Sequence, residues 1–365
     1  MLEPPNLPEA TLLAALREHF DVSTSRLAFL PIGNDNYSWA YRVEAADGAD
    51  YFLKVRGGIL NVASLLVPRF LRYRGVTHVI APLPTRTGAL SASVRGASAG
   101  PAAPNEFNLI LYPFVAGRMG AHGGLADQQW IAYGAAFRQI HAAAVPSALA
   151  AAMRREAFAP KWSPIVTEID ALIGATPFSD PAQQALAEFW QARRALIHTL
   201  LARAADLGGR LRAAGLPLVL CHADAHLWNI LVEPDGALWV VDWDDTLLAP
   251  KECDLLFVVG GIGGDLVGPR ETALFFEGYR EGYGQGAGSA AADALALAYY
   301  RCERAIGDIG GYGERVLLAS DIGAETRRDA VEGFMSLFEP GAIVDLARGS
   351  KDESSDSEKG RRCIR

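Results

Sequence analysis

The feature that most constrains this chain is a short segment in which polar side chains stand at one end of a predicted β-hairpin. Two apolar runs flank residues 234–236, whose sequence Pro-Asp-Gly is typical of a tight reversal. Asp224 and Asn229 precede the first run, and Asp242 follows the second. Because the outer ends of a hairpin lie side by side, we expect these three oxygen-bearing side chains to converge.

Phosphoryl transfer is the chemistry that needs such a set. Its loose transition state leaves little covalent work, so an enzyme supplies positioning and charge neutralisation. Mg²⁺ prefers hard oxygen ligands, and a further carboxylate orients the attacking hydroxyl. The spacing His222-x-Asp224-x₄-Asn229, with Asp242 another 13 residues on, matches the catalytic loop and metal aspartate of kinases. A plain hairpin with capping acids explains this ordered set less well.

A transition-metal site is a weaker interpretation of the same segment. His222 and His226 flank Asp224, and such a run can ligate zinc. No second His or Cys cluster completes the site, which disfavours a metallohydrolase. The four cysteines are scattered and include no CxxC pair, so neither structural zinc nor disulfides are expected, as in a cytoplasmic protein.

The first third of the chain predicts mainly strands after an opening helix at 9–20. Alternating apolar residues predict a hairpin that spans 37–55 and turns at Asp47-Gly48. A helix over 62–73 is predicted to break at Pro68. A second hairpin is predicted over 80–112, with the Ser, Ala, Gly and Pro-rich stretch 91–105 as its loop.

After Gly120 the apolar spacing becomes helical, interrupted by one short β segment at 218–245. The chain therefore predicts an α+β protein with a β-rich N-terminal lobe, a hinge near residue 113 and a mainly helical C-terminal lobe. We place the lobes at 1–113 and 114–348, and the polar stretch 349–365 is predicted to be a disordered tail.

Lys54 lies in the second predicted strand of the first hairpin, between apolar neighbours. A lone lysine in a strand is usually solvated, but the apolar neighbours of this one favour a functional role. The loop before the hairpin, 33–36, has one glycine rather than a GxGxxG pattern, and by itself it is weak evidence of phosphate binding.

Taken together, these motifs resemble the aminoglycoside phosphotransferase and choline kinase superfamily of protein-kinase-like enzymes, over about residues 10–340. A narrower resemblance, to spectinomycin phosphotransferases, is concentrated in residues 216–264. It rests on His222-Ala223-Asp224 with His226, and on the stretch from Val241-Asp242-Trp243-Asp244 through 248–252 to Asp254-Leu255.

The resemblance implies a bilobal kinase-like fold with ATP and Mg²⁺ as cofactors. It implies that Asp224 is the catalytic base and that Asn229 and Asp242 are Mg²⁺ ligands. His222 and Asp254 would hold the loop through hydrogen bonds. The backbone at 111–114 would hold adenine. The residues expected to bind the nucleotide are Gly33, Asn34, Asp35, Asn36, Lys54, Tyr112 and Phe114.

One departure from the kinase pattern concerns the partner of Lys54. Kinases pair this lysine with a glutamate on the following helix. No Asp or Glu occurs between Lys54 and Asn105, and Val62 lies about where that partner is expected. Lys54 is then held either by the metal aspartate or by the phosphates. Alternatively, the protein is an inactive ATP-binding scaffold, although the presence of Asp224, Asn229 and Asp242 together disfavours this.

The formal net charge of −8 disfavours a nucleic-acid partner and is compatible with a small cationic substrate. No apolar run reaches the roughly 18 residues that a membrane span needs. In the resembling fold the acceptor binds between the catalytic loop and the C-terminal helices. The acidic candidates for that site are Asp244, Asp245, Asp265, Glu303 and Asp308.

The resulting prediction is an ATP- and Mg²⁺-dependent phosphotransferase that acts on a hydroxyl of a small molecule. Spectinomycin or a related aminocyclitol is the first candidate acceptor, which would imply a role in antibiotic resistance. A kinase of an ordinary metabolite, such as choline, a sugar or an amino-alcohol, is the second.

Overall fold

The computed structural model describes residues 3–33, 35, 37–96, 106–175, 177–262, 264–280, 291–319 and 322–349. An antiparallel sheet occupies the N-terminal region and helices dominate the C-terminal region, which confirms the predicted α+β class. None of the described helices combines the length and apolar character needed to cross a membrane.

The strands are short outside the first sheet, and the two longest of the described helices, of 34 and 24 residues, lie after residue 180. The strands are β1 Thr24–Leu30, β2 Ser38–Ala45, β3 Asp50–Gly57, β4 Ala92–Arg95, β5 Glu106–Pro113, β6 Arg118–Met119, β7 Arg154–Arg155, β8 Val219–Cys221, β9 Ile230–Val232, β10 Leu238–Val240 and β11 Leu247–Ala249. The helices are α1 Glu9–Phe20, α2 Ala63–Tyr73, α3 Asp127–His141, α4 Ser147–Ala152, α5 Ser163–Ala175, α6 Pro181–Ala214, α7 Glu252–Val259, α8 Pro269–Arg280, α9 Ala294–Leu317, α10 Ala324–Ser336 and α11 Ile343–Arg348.

The N-terminal sheet has the order β1-β2-β3-β5-β4, and all its pairs are antiparallel. The predicted first hairpin is confirmed, with Gly48 at a φ of 87° in its turn. Leu53 and Val55 are fully buried in the core on one face of β3. Because side chains alternate along a strand, Lys54 emerges on the opposite face, which faces the rest of the protein.

Two details of the predicted N-terminal region are wrong. Helix α2 runs unbroken through Pro68, because proline costs it only the hydrogen bond to the carbonyl of Ser64 in its first turn while Val67 and Leu71 become fully buried. The second hairpin is formed by β4 and β5 alone, so β4 occupies the start of the stretch predicted as loop. Residues 97–105 of that stretch lie outside the described part of the chain.

The core is divided into two clusters of buried apolar residues. One lies under the N-terminal sheet and includes Leu12, Leu16, Leu53 and Leu111. The other fills the helical region, and the buried side chains of α2 belong to it rather than to the sheet. Helix α2 is therefore packed on the C-terminal core, although it lies within the predicted N-terminal lobe 1–113. The boundary at residue 113 remains a prediction.

The hairpin predicted from the sequence is formed by β9 and β10, with Leu231 opposite Trp239. Beyond its open end, the Val241 N–H donates to the carbonyl of Asn229 at 3.0 Å, which continues the pairing toward Asp242. Strand β8 comes before this hairpin in the chain and does not pair with it. It pairs with β11 in a separate three-stranded sheet, β7-β11-β8. Residues 222–229 form the loop that connects β8 in one sheet to β9 in the other.

Helices α3 and α8 pack through two glycines that let their backbones touch. A Cβ atom on Gly134 would overlap the carbonyl oxygen of Phe275, and one on Gly278 would overlap the carbonyl oxygen of Ile131. Both helices carry side chains that support the loop 222–229, namely Tyr133, His141 and Tyr279. The close approach of the helices therefore helps position that loop.

We expect Gly278→Ala to lower the melting temperature, because its methyl group forces α8 away from α3 and overpacking of this kind costs about 1–3 kcal/mol. Gly311→Ala is the matched control, since a Cβ there has no heavy atom within 4 Å and α9 gains helix propensity, worth up to about 1 kcal/mol. Thermal unfolding followed by circular dichroism measures both. Equal melting temperatures for the two variants would show that the contact between α3 and α8 does not require glycine at position 278.

Candidate active site

The loop 222–229 is held by one buried carboxylate, that of Asp254 in the first turn of α7. Its Oδ2 accepts from the His222 N–H at 2.9 Å and its Oδ1 from the Ala223 N–H at 2.6 Å. Its Oδ2 also lies 2.9 Å from Nε2 of His141, whose Nδ1 is 2.7 Å from the Tyr279 hydroxyl. A buried carboxylate is stable only when its lone pairs are satisfied in this way.

His222 connects this loop to the strand that precedes Asp242. The Asp224 N–H donates to its Nδ1 at 3.2 Å, so the proton of a neutral ring lies on Nε2. Nε2 then donates to the carbonyl of Val241 at 2.9 Å. Asp254 and His222 thus occupy the loop-holding positions predicted for them.

Two residues of the site have backbone conformations that side chains usually avoid. Ala223 has a φ of 73° and Asp242 a φ of 63°. A left-handed conformation costs an L-residue roughly 1–2 kcal/mol, less for aspartate. The hydrogen bond from Ala223 to Asp254 offsets that cost, and the turn at 223 aims Asp224 out of the loop.

Asp224 lies between two cationic or potentially cationic groups. Its Oδ1 is 2.6 Å from Nη1 of Arg304, and its Oδ2 is 3.2 Å from Nε2 of His226. Burial alone would raise the pKa of Asp224, but Arg304 and His226 outweigh it and hold the pKa well below its ordinary value. Asp224 is therefore a carboxylate throughout the physiological pH range.

Asn229 and Asp242 fit the requirements of a magnesium site. The amide nitrogen of Asn229 donates to the main-chain oxygen of Asp224 at 2.8 Å and to its Oδ2 at 3.0 Å. This fixes the amide orientation and leaves its Oδ1 for a cation. The carboxylate of Asp242 is 48% exposed and contacts Lys54 through Oδ1 only. Two hard oxygen donors are thus present, as Mg²⁺ prefers.

Lys54 has two acidic partners, and neither lies on a helix. Its Nζ is 2.8 Å from Oδ1 of Asp242 and 2.9 Å from Oδ2 of Asp244. Burial alone would lower the pKa of Lys54, but the two carboxylates raise it well above the ordinary value. The main-chain oxygen of Asp244 accepts from Nδ2 of Asn61, just before α2, at 2.9 Å. Asp244 therefore stands where kinases use the helix glutamate.

Asp244 is also a candidate for the acceptor site, and its carboxylate contacts Lys54 and, at 2.8 Å, Arg56, so its role beside the acceptor stays a prediction. Arg56 also binds the carboxylate of Asp35 in the loop between β1 and β2. The other oxygen of Asp35 accepts from the Tyr37 N–H at 2.8 Å. Asp35 is thereby tied to Lys54 through Arg56 and Asp244.

The other residues predicted to bind the nucleotide lie in or next to the N-terminal sheet. Gly33 has a φ of 84°, a conformation that favours glycine, whereas Asn34 and Asn36 lie outside the described residues. Burial raises the pKa of Tyr112, which lies near Lys54. The Phe114 N–H donates to the carbonyl of Asp50 at 3.2 Å, so it is already engaged. Nucleotide binding by these residues remains a prediction.

A second cluster of partly exposed charges, called the cleft below, lies between α9 and the segment 154–162. Asp245 is 3.1 Å from Arg154 and 3.2 Å from Lys161, and Asp308 is 3.0 Å from Nε of Arg304. Glu303 directly precedes Arg304 in α9, about 100° around the helix from it. Asp265 lies in the 3₁₀ turn Gly264–Leu266, and its side chain is outside the described part of the structure.

Glu303 differs from the other acids of the cleft. Its carboxylate has no ion-pair or hydrogen-bond partner among the described residues, whereas Glu156 accepts from the Phe158 N–H and the Tyr300 hydroxyl. Burial, together with Glu156 and Asp245, raises the pKa of Glu303 to about 7. A cation arriving in the cleft would find this carboxyl available.

Sequence reasoning missed Arg56 and Arg304. Arg56 follows Lys54 by two residues, so strand alternation places both on one face, a signal that was available. Arg304 lies in α9, 80 residues after Asp224, and no local sequence pattern predicts that contact.

His141, Cys221 and Asp254 bring three possible metal-ligand atoms within 4.8 Å of one another. These atoms are already used, since His141 and Asp254 bond to each other and the Cys221 thiol lies 3.5 Å from the carbonyls of Ala249 and Pro250. The group is therefore a structural support of the loop. Burial raises the pKa of the Cys221 thiol well above its usual value, which keeps it protonated.

Comparison with known proteins places this geometry in a family. Residues 28–295 match the model of the phosphotransferase enzyme family. The chain is 30% identical to spectinomycin phosphotransferase APH(9)-Ia solved with ADP and spectinomycin, over 93% of this chain and 97% of that one, with a TM-score of 0.76. For the AMP-bound complex of that enzyme the identity is 29%, the coverage 94% and 98%, and the TM-score 0.72.

A more distant likeness shows the fold alone. Amicoumacin kinase hAmiN, solved with AMP-PNP, Ca²⁺ and Ami, is 16% identical over 94% of this chain and 98% of that one, with a TM-score of 0.60. The comparison with curated proteins gives no significant match. The family match and the coverage of APH(9)-Ia establish that this chain belongs to the phosphotransferase enzyme family, as an enzyme of the kind that phosphorylates hydroxyl groups of small molecules.

Proposed function

We propose that this protein transfers the γ-phosphate of ATP, with Mg²⁺, to a hydroxyl of a cationic aminocyclitol such as spectinomycin. The observation that carries the proposal is the ionised carboxylate of Asp224, held in a fixed loop next to an acidic cleft. The 30% identity to a spectinomycin phosphotransferase over 93% of the chain supports the choice of acceptor.

In the proposed reaction Asp224 accepts a hydrogen bond from the acceptor hydroxyl and orients its oxygen toward the γ-phosphorus. The new P–O bond forms as the bond to the ADP oxygen breaks, and the hydroxyl proton passes to Asp224. Lys54, kept charged by Asp242 and Asp244, binds the phosphates of the nucleotide. Mg²⁺, held by Asn229 and Asp242, would neutralise phosphate charge.

The charges of the cleft support a cationic acceptor. Asp224, Asp245, Asp308, Glu156 and Glu303 are five carboxylates, and they face the three cations Arg154, Lys161 and Arg304. An ammonium group bound there would pair with Glu303, which has no ion-pair partner among the described residues. A neutral sugar would leave that carboxylate unpaired.

The first prediction concerns the acceptor and the base. ATP consumption with Mg²⁺ is measured across spectinomycin, hygromycin, kanamycin, streptomycin, choline, homoserine and several sugars. We expect turnover with an aminocyclitol, reduced by several orders of magnitude in Asp224→Asn, because the amide cannot accept the proton. Turnover with choline, a sugar or an amino-alcohol instead would assign a metabolic kinase. Full activity of the variant would refute the role of Asp224.

The second prediction concerns the anchor of Lys54. We expect Asp244→Asn to lower kcat/KM for ATP by about tenfold or more, because Lys54 and Arg56 lose a shared, partly buried carboxylate. Asp245→Asn is the matched control, since Asp245 contacts Arg154 and Lys161 and should affect the acceptor rather than ATP. If both variants keep the wild-type kcat/KM for ATP, Asp244 does not position Lys54.

The third prediction is a pH dependence of acceptor binding. The pKa of Glu303 is about 7, so its carboxyl is neutral below that pH and charged above it. Glu156, Asp245, Arg304 and Lys161 act on it from the surrounding elements. We expect KM for a cationic acceptor to fall as pH rises through about 7 in the wild type relative to Glu303→Gln, measured by steady-state kinetics. Parallel profiles for the two proteins would exclude Glu303 from the acceptor site.

A further inference from the structure

Both oxygens of the proposed base are occupied by groups of the protein itself. Asn229 and His226 contact Oδ2 of Asp224, at 3.0 and 3.2 Å. Arg304 alone, among the described residues, contacts Oδ1, at 2.6 Å. Arg304 therefore blocks Oδ1, the oxygen of Asp224 that an acceptor hydroxyl would otherwise reach.

Arg304 has a second place to bind within its own helix. Its Nε donates to Oδ2 of Asp308, one helical turn away, at 3.0 Å, and its guanidinium carbon lies 5.6 Å from the centre of the Phe257 ring. Arg304 is thus a cation shared by two carboxylates. It can leave Asp224 and remain paired, since Asp308 keeps its charge compensated.

Building on the proposed function, we propose that Arg304 guards the catalytic carboxylate. In the acceptor-free enzyme its ion pair with Asp224 blocks that carboxylate and suppresses hydrolysis of ATP. When the acceptor binds, the Arg304 side chain leaves Asp224 and keeps its ion pair with Asp308. Arg304 is in this sense a positioning residue that couples release of the base to arrival of the acceptor.

The reaction that the guard suppresses is attack by water. If Asp224 were free, it could orient a water molecule toward the γ-phosphorus as it orients the acceptor hydroxyl. A P–O bond to water would form, the bond to ADP would break and a water proton would pass to Asp224, giving ADP and inorganic phosphate. An ammonium group of a cationic acceptor can replace the charge that Arg304 withdraws from Asp224.

The geometry disfavours an alternative role, in which Arg304 neutralises the transferring phosphoryl group. Two of its nitrogens, Nη1 and Nε, are already bound to carboxylates. The two roles predict opposite results. Loss of a guard increases hydrolysis, whereas loss of a phosphoryl-binding arginine decreases both hydrolysis and transfer.

Release of inorganic phosphate from ATP and Mg²⁺ without acceptor tests the guard. We expect Arg304→Gln to raise this rate about tenfold, as expected for the loss of a charge-assisted hydrogen bond. The double variant Arg304→Gln, Asp224→Asn should abolish the gain. Arg301→Gln is the matched control, because Arg301 lies on the same helix and donates to the carbonyl of Gly260 at 2.9 Å.

Two further variants keep the test decisive if Arg304→Gln folds poorly. Arg304→Lys keeps the charge but not the forked contact, so its hydrolysis rate should lie between those of the wild type and the glutamine variant. Asp308→Asn removes the carboxylate that pairs with Arg304 after it leaves Asp224. It should raise KM for the acceptor several-fold without the increase in hydrolysis that Arg304→Gln produces, because Arg304 then stays on Asp224.

The outcomes separate this proposal from the function on which it rests. Unchanged or reduced hydrolysis in Arg304→Gln, with Asp224→Asn inactive in transfer, would overturn the guard and leave the base in place. Full transfer activity in Asp224→Asn would overturn the proposed function itself. Increased hydrolysis that survives removal of Asp224 would show that Arg304 does not act through that carboxylate, and would also overturn the guard.

Discussion

The structure of the site depends on one buried carboxylate that accepts hydrogen bonds from two consecutive main-chain N–H groups. Asp254 binds the N–H groups of His222 and Ala223 and thereby holds Ala223 in a left-handed conformation that it would not adopt alone. The turn at Ala223 exposes Asp224 and directs the ring of His222 toward Val241. Without Asp254 the loop would lose the main-chain hydrogen bonds that direct Asp224, the proposed base, out of the loop.

A chain of ion pairs connects the N-terminal sheet to this loop. Lys54 and Arg56 on β3 share the carboxylate of Asp244, and Arg56 continues the chain to Asp35. This network explains how the fold dispenses with a glutamate on α2. That helix is packed on the C-terminal core and contributes only Asn61, just before its start, which fixes the main chain of Asp244. Lys54 is thus held by two carboxylates from the segment between β10 and β11.

The charged cluster beside α9, which we propose to be the acceptor side of the site, contains cations as well as acids. Arg154 and Lys161 compensate Asp245, while Arg304 bridges Asp224 and Asp308. Glu303 has no ion pair among the described residues, and burial, together with the nearby acids Glu156 and Asp245, raises its pKa. Charge compensation in the resting enzyme keeps a cluster of acids stable until a ligand arrives.

The sequence alone determined the α+β class and the set Asp224, Asn229 and Asp242, because a hairpin is a local structure and its turn brings residues 13 positions apart together. Strand alternation likewise placed Lys54 on the face of β3 opposite to Leu53 and Val55. The tertiary structure decided which groups pair with these residues. Lys54 meets Asp242 across 188 residues and Asp224 meets Arg304 across 80, contacts that follow from how sheets and helices pack rather than from any local pattern.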